Sequence, residues 1–453
     1  MGLGRFGGGA AAARFLSERG ARVLATDLRS SAELPEARAA LAGLDVEWVL
    51  GEHRPSDFDS AEWVVANPAV SARHPLLQRA RAAGARVTTE VELFLAELPC
   101  RAVAITGTQG KSSTTTFVAQ LLEAAGLRVH AGGNLGGSLL DHLADIHAAD
   151  TVVLELSSYQ LEHLASPPLA ARGLAAAAVL NVLEDHLERH GTRAEYGAAK
   201  GRIFELLAPD GLALVPDGEA MVASWPLPAG ADVWRLDPRH TPSHGPPRPG
   251  VLGIWDGPDG PAFWLGERPI APLDALQLPR FQRPNALAAL ALAQHLGAPS
   301  EALARALPSL APPPHRLADL GTVRGRRVYD NGVSTTPDST VAALEALGHI
   351  GTLVVGGQAK QLDYGVLARA VRARCRRVVA FGASGPQLAA WLASPGLEVR
   401  VVAGVAEAAR MALEFTPEGE IVVFSPACAS FDAHPNFKER ALAFAAALKL
   451  APA

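Results

Sequence analysis

Cysteine is scarce in this chain of 453 residues. The three present, Cys100, Cys375 and Cys428, are scattered and odd in number, which excludes a disulfide framework or a CxxC metal pair and suits a reducing compartment. No apolar run reaches the roughly eighteen residues of a membrane span, because the alanine-rich stretches are short and broken by charges. The first residues carry no signal-peptide pattern. Positive charge is not in excess either. A net charge of −5 with 19% charged residues gives no basic face for nucleic acid. These absences describe a cytoplasmic protein with neither a membrane nor a nucleic-acid partner. Apolar residues are plentiful, at 49%, and the length exceeds one core, so about three domains are expected.

The most informative stretch is Ala102-Val-Ala-Ile-Thr-Gly107-Thr-Gln-Gly110-Lys111-Ser-Ser-Thr-Thr-Thr116. An apolar β-type run ends at Gly107, and a helix-compatible run starts after Lys111. Such a strand–loop–helix passage directs several backbone N–H groups at one point, where the helix dipole also favours negative charge. Lys111 supplies a cation for the outer phosphates of a nucleotide, and the Ser112 hydroxyl suits magnesium. The spacing is shorter than the usual P-loop, since Ile105 stands where the first glycine would be. A plain connector with a surface lysine would not explain the hydroxyl run.

The remaining chain alternates short apolar runs with helical patterns, which implies parallel sheets. Three domains are drawn at residues 1–98, 99–312 and 313–453. The first opens with Gly2-Leu-Gly4-Arg-Phe-Gly7, a helix from Ala10 to Arg19, and Val23-Leu-Ala followed by Asp27. That is a Rossmann-type turn with an acid after the next strand, although the strand that should precede the turn is missing. In the second, Glu155 ends the apolar strand Thr151–Leu154 and is a candidate magnesium ligand. His186 lies in Asn181-Val-Leu-Glu-Asp-His186 and Lys200 in Tyr196-Gly-Ala-Ala-Lys200. Alone, either would be an ordinary structural histidine or exposed lysine. Residues 236 to 262, rich in Pro and Gly, read as surface loops with a short hairpin. Asn285 reads as an N-cap of the helix Ala286–Gly297 or as a base contact. The third domain shows four βα units, with Thr335, Lys360 and Ser430 on strand-end loops that suit a small anionic substrate.

These motifs together resemble the Mur ligase family, over essentially the whole length. Gly107-Thr-Gln-Gly-Lys-Ser112 is similar to its short phosphate loop. Leu154-Glu-Leu-Ser-Ser-Tyr-Gln-Leu-Glu162 and Ser425-Pro-Ala-Cys-Ala-Ser-Phe-Asp432, with Asn436-Phe437, are similar to its glutamate-adding branch. The resemblance implies an α/β protein of three domains, N-terminal Rossmann-like, central P-loop ATPase-like and C-terminal Rossmann-like. It implies a monomeric, ADP-forming ligase using ATP and two magnesium ions on UDP-N-acetylmuramoyl-L-alanine and D-glutamate. By resemblance, Gly107, Thr108, Gly110, Lys111, Ser112, Ser113, Asn285 and Arg316 would bind ATP. Ser112 and Glu155 would hold one magnesium, and His186 with a carbamylated Lys200 the second. Lys111, His186, Lys200 and Arg316 would be catalytic. Gly4, Asp27 and Arg29 would take the uridine end and Asn134 and Ser157 the muramoyl part. Thr335, Lys360, Ser430, Phe431 and Phe437 would receive glutamate.

Three features depart from the family pattern. Asn331-Gly-Val-Ser-Thr-Thr336 stands where Asp-Ser-Lys-Ala-Thr-Asn is common, so a lysine is missing near the substrates and D- versus L-glutamate stays open. Phe281 and Gln282 replace a His and an Asn beside the adenine, and the first strand is absent. Rival readings are an L-glutamate-adding Mur ligase or a folylpolyglutamate synthetase-like ligase. From other classes come a dehydrogenase, which leaves the phosphate loop unexplained, and a non-catalytic nucleotide-binding protein.

Overall fold

A computed structural model describes the chain except residues 5–6, 170–171, 184, 238, 240–241, 243–244, 246, 266–267, 361 and 451–453, and the side chains of residues 188 and 450. By packing it divides into two units, Met1–Ala311 and Pro312–Ala453.

At the N-terminus, β1 (Val23–Asp27) pairs in parallel with β2 (Val46–Leu50), and β3 (Trp63–Val65) with β4 (Arg86–Thr88). The first two residues join the pairs. Gly2 N–H donates to Thr26 O (2.8 Å), and Asn67 N–H donates to Met1 O (2.9 Å). This stub stands where the missing strand was expected. The glycine turn that follows has Arg5 and Phe6 outside the described residues, and Gly7 at φ 84° leads into the helix Gly8–Glu18.

The large sheet is built from β5 (Arg101–Thr106), β6 (Val129–Gly133), β7 (Thr151–Glu155), β8 (Leu174–Val179), β9 (Leu207–Pro216), β10 (Asp232–Leu236), β11 (Val251–Gly257), β12 (Gly260–Leu265) and β13 (Arg268–Pro272). Their order is β13-β12-β11-β10-β9-β8-β5-β7-β6. From β6 to β11 every pairing is parallel, while β12 and β13 pair antiparallel. Successive side chains leave a strand on opposite faces. Val103 and Ile105 therefore enter the core with Phe117 and Leu287. Ala102 and Ala104 enter the other with Phe94 and Tyr196. Burial on both faces explains the unbroken apolar runs of β5 and β7. Ala11, Ala12 and Phe15 of the first helix belong to that second core. Residues 251–254 correct the surface-loop expectation for 236 to 262. They are buried and extend the sheet alongside β10, with the hairpin turn only after Gly257.

The second unit has β14 (Ala318–Val323), β15 (Arg326–Asp330), β16 (Ile350–Gly356), β17 (Cys375–Phe381), β18 (Glu398–Val402) and β19 (Ile421–Phe424), in the order β14-β15-β19-β16-β17-β18. Only β14 runs antiparallel among these pairings. The four expected βα units are joined by a fifth, β18 with the helix Val405–Phe415. As an edge strand carrying Glu398 and Arg400, β18 lacks the apolar run that marks a buried strand.

Asp27 ties the N-terminal stub to β1. It is buried and accepts from Leu3 N–H (2.8 Å), from Arg29 N–H (3.0 Å) and from the Arg29 guanidinium (2.8 and 3.0 Å). Burial alone would raise its pKa, but the Arg29 side chain and these backbone donors outweigh it and hold the carboxyl at about 2, below the ordinary 3.8. A carboxyl with a depressed folded pKa adds stability above its unfolded value and loses it as pH falls through the folded one. Asp27→Asn is therefore expected to be less stable by about 1–2 kcal/mol near neutral pH. Urea titrations should show that difference shrinking from about pH 4 to about pH 2, and a pH-independent difference would contradict the tie.

Candidate active site

The loop after β5 is shaped by its glycines and braced from β8. Gly110 sits at φ 82°, and an added Cβ would lie 2.2 Å from Asn285 Oδ1. No side chain fits there. Thr108 N–H donates to Asn181 O (3.1 Å) and Gln109 N–H to Asn181 Oδ1 (2.9 Å), while Leu183 N–H donates to Thr108 Oγ1 (2.9 Å). The helix Lys111–Ala124 then begins at the lysine itself, where the sequence suggested a start just after it. Its first turn, the Ser112 and Ser113 hydroxyls and the glycine backbone face the same end of the sheet, the arrangement that receives phosphate. Lys111 Nζ donates to Gly107 O (2.9 Å) and Thr108 O (3.0 Å), so the cation lies over the loop.

Glu155 ends β7 and is buried. The Ser112 hydroxyl donates to its Oε2 at 2.5 Å, and Asn134 Nδ2 donates to Oε1 at 2.8 Å. Asn134, expected to line the muramoyl pocket, thus orients the carboxylate. Ser112 and Glu155 offer two hard oxygens side by side, a donor pair that fits magnesium completed by phosphate and water. Among the described residues no group of three or more His, Cys, Asp and Glu side chains gathers as a metal cage.

Lys200 is only 1% exposed, on the helix Arg193–Gly201. Its Nζ donates to Gly107 O (2.9 Å) and lies 4.3 Å from the centre of the Tyr196 ring. Burial first, and the Lys111 charge second, push this amine well below the ordinary lysine value, against the pull of Asp185 and Glu155. His186 has φ 53° ahead of the helix Leu187–His190, and its Nδ1 lies 3.0 Å from the Tyr159 hydroxyl. Its ring centre is 6.2 Å from that of Tyr196, so Tyr196 neighbours both candidates.

Asn285 lies inside the helix Arg283–His295, whose first turn holds Pro284. The N-cap expectation is therefore corrected. Proline suits a helix start, and the helix begins at Arg283. Asn285 Nδ2 donates to Gln282 Oε1 (2.7 Å), and Gln282 Nε2 donates to Ser113 Oγ (3.4 Å). Gln282, one of the departures, thus links Asn285 to the phosphate-loop helix. Ser157 caps the short helix Ser158–Leu161, accepting from Gln160 N–H at 3.2 Å. Gly4 packs on Asn67, leaving no room for a Cβ.

In the second unit, Lys360 Nζ donates to Thr335 Oγ1 (3.3 Å). Ser430 is buried, Phe431 is 59% exposed, and Phe437 opens the helix Phe437–Leu450. Arg316 lies in a bend just after the turn at Pro314 and His315. The departure loop is built around small groups. Asn331 Nδ2 donates to Ser425 Oγ (2.9 Å), and a Cβ at Gly332 would meet Ala441 Cβ at 2.6 Å. Sequence reasoning missed Asn181, Tyr159 and Asp185 as parts of the site. All three lay within quoted motifs, so their signal was proximity to the strand ends.

A glycine phosphate loop, a serine–carboxylate pair and a buried low-pKa lysine at the carboxyl ends of a parallel sheet define a nucleotide-dependent enzyme of the P-loop class. Three family profiles match in series: the Mur ligase MurD-like N-terminal domain over residues 1–89, the Mur ligase middle domain over 105–239, and the Mur ligase glutamate ligase domain over 315–428. The chain is 34% identical to the UDP-N-acetylmuramoylalanine--D-glutamate ligase of Trichlorobacter lovleyi, over 99% of this chain and 97% of the relative. The solved UDP-N-acetylmuramate-alanine ligase MurC of Thermotoga maritima shares the fold, with TM-score 0.56 and 19% identity over 99% and 98% of the two chains. So does the MurF ligase of Thermotoga maritima in complex with ADP, with TM-score 0.55 and 17% identity over 87% and 99%. The chain belongs to the Mur ligase family.

Gly110→Ala is expected to weaken ADP binding at least about tenfold, since it places a methyl group against Asn285 and a strained φ on the loop. Isothermal titration would read the change, and an unchanged Kd would move the nucleotide away from this loop.

Proposed function

We propose that this enzyme joins D-glutamate to the alanyl carboxylate of UDP-N-acetylmuramoyl-L-alanine, with ATP as the energy source, in peptidoglycan precursor synthesis. The observation that carries the reading is the convergence of Lys111, Ser112, Glu155 and Lys200 on one glycine loop. The name of the Trichlorobacter lovleyi relative supports the substrates.

A carboxylate does not react with an amine at neutral pH, because its oxygen is a poor leaving group. In this reading the alanyl carboxylate attacks the γ-phosphorus of ATP, ADP departs, and an acyl phosphate forms. The glutamate amine then attacks the acyl carbon, phosphate leaves with the C–O bond electrons, and the amine gives up a proton. Lys111 and the loop N–H groups hold the phosphates in line, and this positioning and charge stabilisation supply most of the rate. Magnesium at Ser112 and Glu155 would neutralise charge on the outer phosphates. A second ion would be held by His186 and a carbamylated Lys200. Burial and the Lys111 charge favour the neutral amine of Lys200, the form that adds carbon dioxide, forming an N–C bond and releasing a proton, and the product is an anion suited to a cation. Asn285 would meet the adenine and Arg316 the phosphates. Gly4, Asp27 and Arg29 would receive the uridine end and Asn134 and Ser157 the muramoyl part. Thr335, Lys360, Ser430, Phe431 and Phe437 would receive glutamate. The proposed division is 1–98 for the nucleotide-sugar substrate, 99–312 for ATP and 313–453 for the amino acid. The enzyme would act as a cytoplasmic monomer. No described helix is long and apolar enough to cross a membrane.

The test is ADP release with UDP-N-acetylmuramoyl-L-alanine and each glutamate enantiomer. Turnover with D-glutamate is expected, and turnover with L-glutamate alone would replace the enantiomer. ATP binding without turnover on either would end the proposal. Lys111→Ala should lower kcat by about 10²–10³ or more, and near-normal turnover would remove the phosphate-loop assignment.

A further inference from the structure

Arg440, on the helix Phe437–Leu450, is 0% exposed. An interior cation is usually paired with an anion, yet the hydrogen-bond acceptors of this guanidinium are main-chain carbonyls from three loops. Nη1 donates to Cys428 O (2.9 Å), Ala429 O (3.1 Å) and Gly356 O (3.3 Å), and Nη2 to Gly332 O (3.3 Å) and Ser334 O (3.5 Å). Those loops leave β15, β16 and β19 and carry Thr335, Lys360 and Ser430. The fit is close. A Cβ at Gly357 would lie 2.3 Å from Ala429 O and 2.8 Å from Arg440 Nη1. Burial lowers the guanidinium to about 10, with Cys428, Asp432 and Asp330 acting against it, so the group stays cationic at neutral pH.

A trans peptide places its C=O and the following N–H on opposite sides. Turning Ala429 O toward Arg440 therefore turns the Ser430 N–H away from it. Ser334 O does the same, more weakly, for the Thr335 N–H. Neither N–H donates to an acceptor among the described residues. Backbone donors directed away from a buried positive charge are suited to a carboxylate.

We propose that Arg440 is a positioning residue for the amino-acid substrate: it fixes the peptide units 334–335 and 429–430 so that their N–H groups face the carboxylates of an acidic amino acid. The inference rests on the reading of the second unit as the amino-acid-binding domain.

Arg440→Lys and Arg440→Met in the full-length enzyme test it, with far-UV circular dichroism and a thermal melt as checks of folding. Wild-type turnover with glutamate is measured first, and its absence would remove the function reading rather than this inference. With turnover in hand, the expected result is a glutamate KM raised at least about tenfold in Arg440→Met and less in Arg440→Lys, with the ATP KM within about twofold of wild type. A folded Arg440→Met with an unchanged glutamate KM, or with equal rises in both KM values, would overturn the proposal. Should neither variant fold, amide hydrogen exchange on the wild type decides. Saturating glutamate should slow exchange at Ser430 and Thr335 several-fold, and no change at either would refute the inference.

Discussion

A lysine ammonium buried beside another cation is unfavourable, and that constraint organises the central site. Lys200 lies against Gly107 O and feels the charge of Lys111, which leans over the same loop. Burial and the repulsion between two positive charges in a low-dielectric setting both lower the pKa of Lys200 and favour its neutral form. The loop carbonyl at Gly107 accepts from both lysines, so the left-handed glycine turn fixes each of them. The loop at the helix start and the buried amine thus meet at a single peptide group.

The sheet makes this possible. In a parallel sheet all the strand ends at one edge carry loops to the same side, and β5, β7 and β8 are neighbours in it. Their C-terminal residues, Thr106, Glu155 and Val179, deliver the phosphate loop, the carboxylate and the Asn181 brace to one place. Asn134, at the end of β6, fastens the carboxylate from the other side. Four segments spread over about eighty residues meet because each lies at the carboxyl end of a neighbouring parallel strand, three of them buried and β6 at the edge.

That arrangement also explains what could be read in the chain. Strands buried on both faces are continuous apolar runs, and glycines before a lysine–hydroxyl series mark a tight strand-to-helix turn, so the glycine loop, the strand-end position of Glu155 and the parallel architecture were legible. Lysine is rare here, with five among 453 residues, and three of the five are Lys111, Lys200 and Lys360. The edge strand β18 was not legible, because it has one exposed face and mixed charge. Asn285 looked like a cap because the periodic apolar pattern starts after it, whereas Pro284 already belongs to the first turn. Arg440 was hidden for another reason: on a helix of Ala, Leu and Phe, an arginine reads as a solvent-facing residue, and only packing reveals that it points inward.

The same helix bears on the loop that departs from the family pattern. Gly332 has no space for a side chain because Ala441, next to Arg440, packs against it, and Gly332 O accepts from the guanidinium. Loop and helix are therefore a matched pair, with a small residue on one side and an interior cation on the other. The lysine common in the family is absent from Asn331-Gly332-Val333, but positive charge is not absent from the second unit. Lys360 supplies it in contact with Thr335, and Arg440 supplies it from beneath the strand ends. A charge beneath the loops acts through peptide dipoles and does not move with a flexible side chain. If the second unit receives an acidic amino acid as proposed, its recognition rests less on a mobile surface lysine than on backbone groups whose direction the fold itself sets.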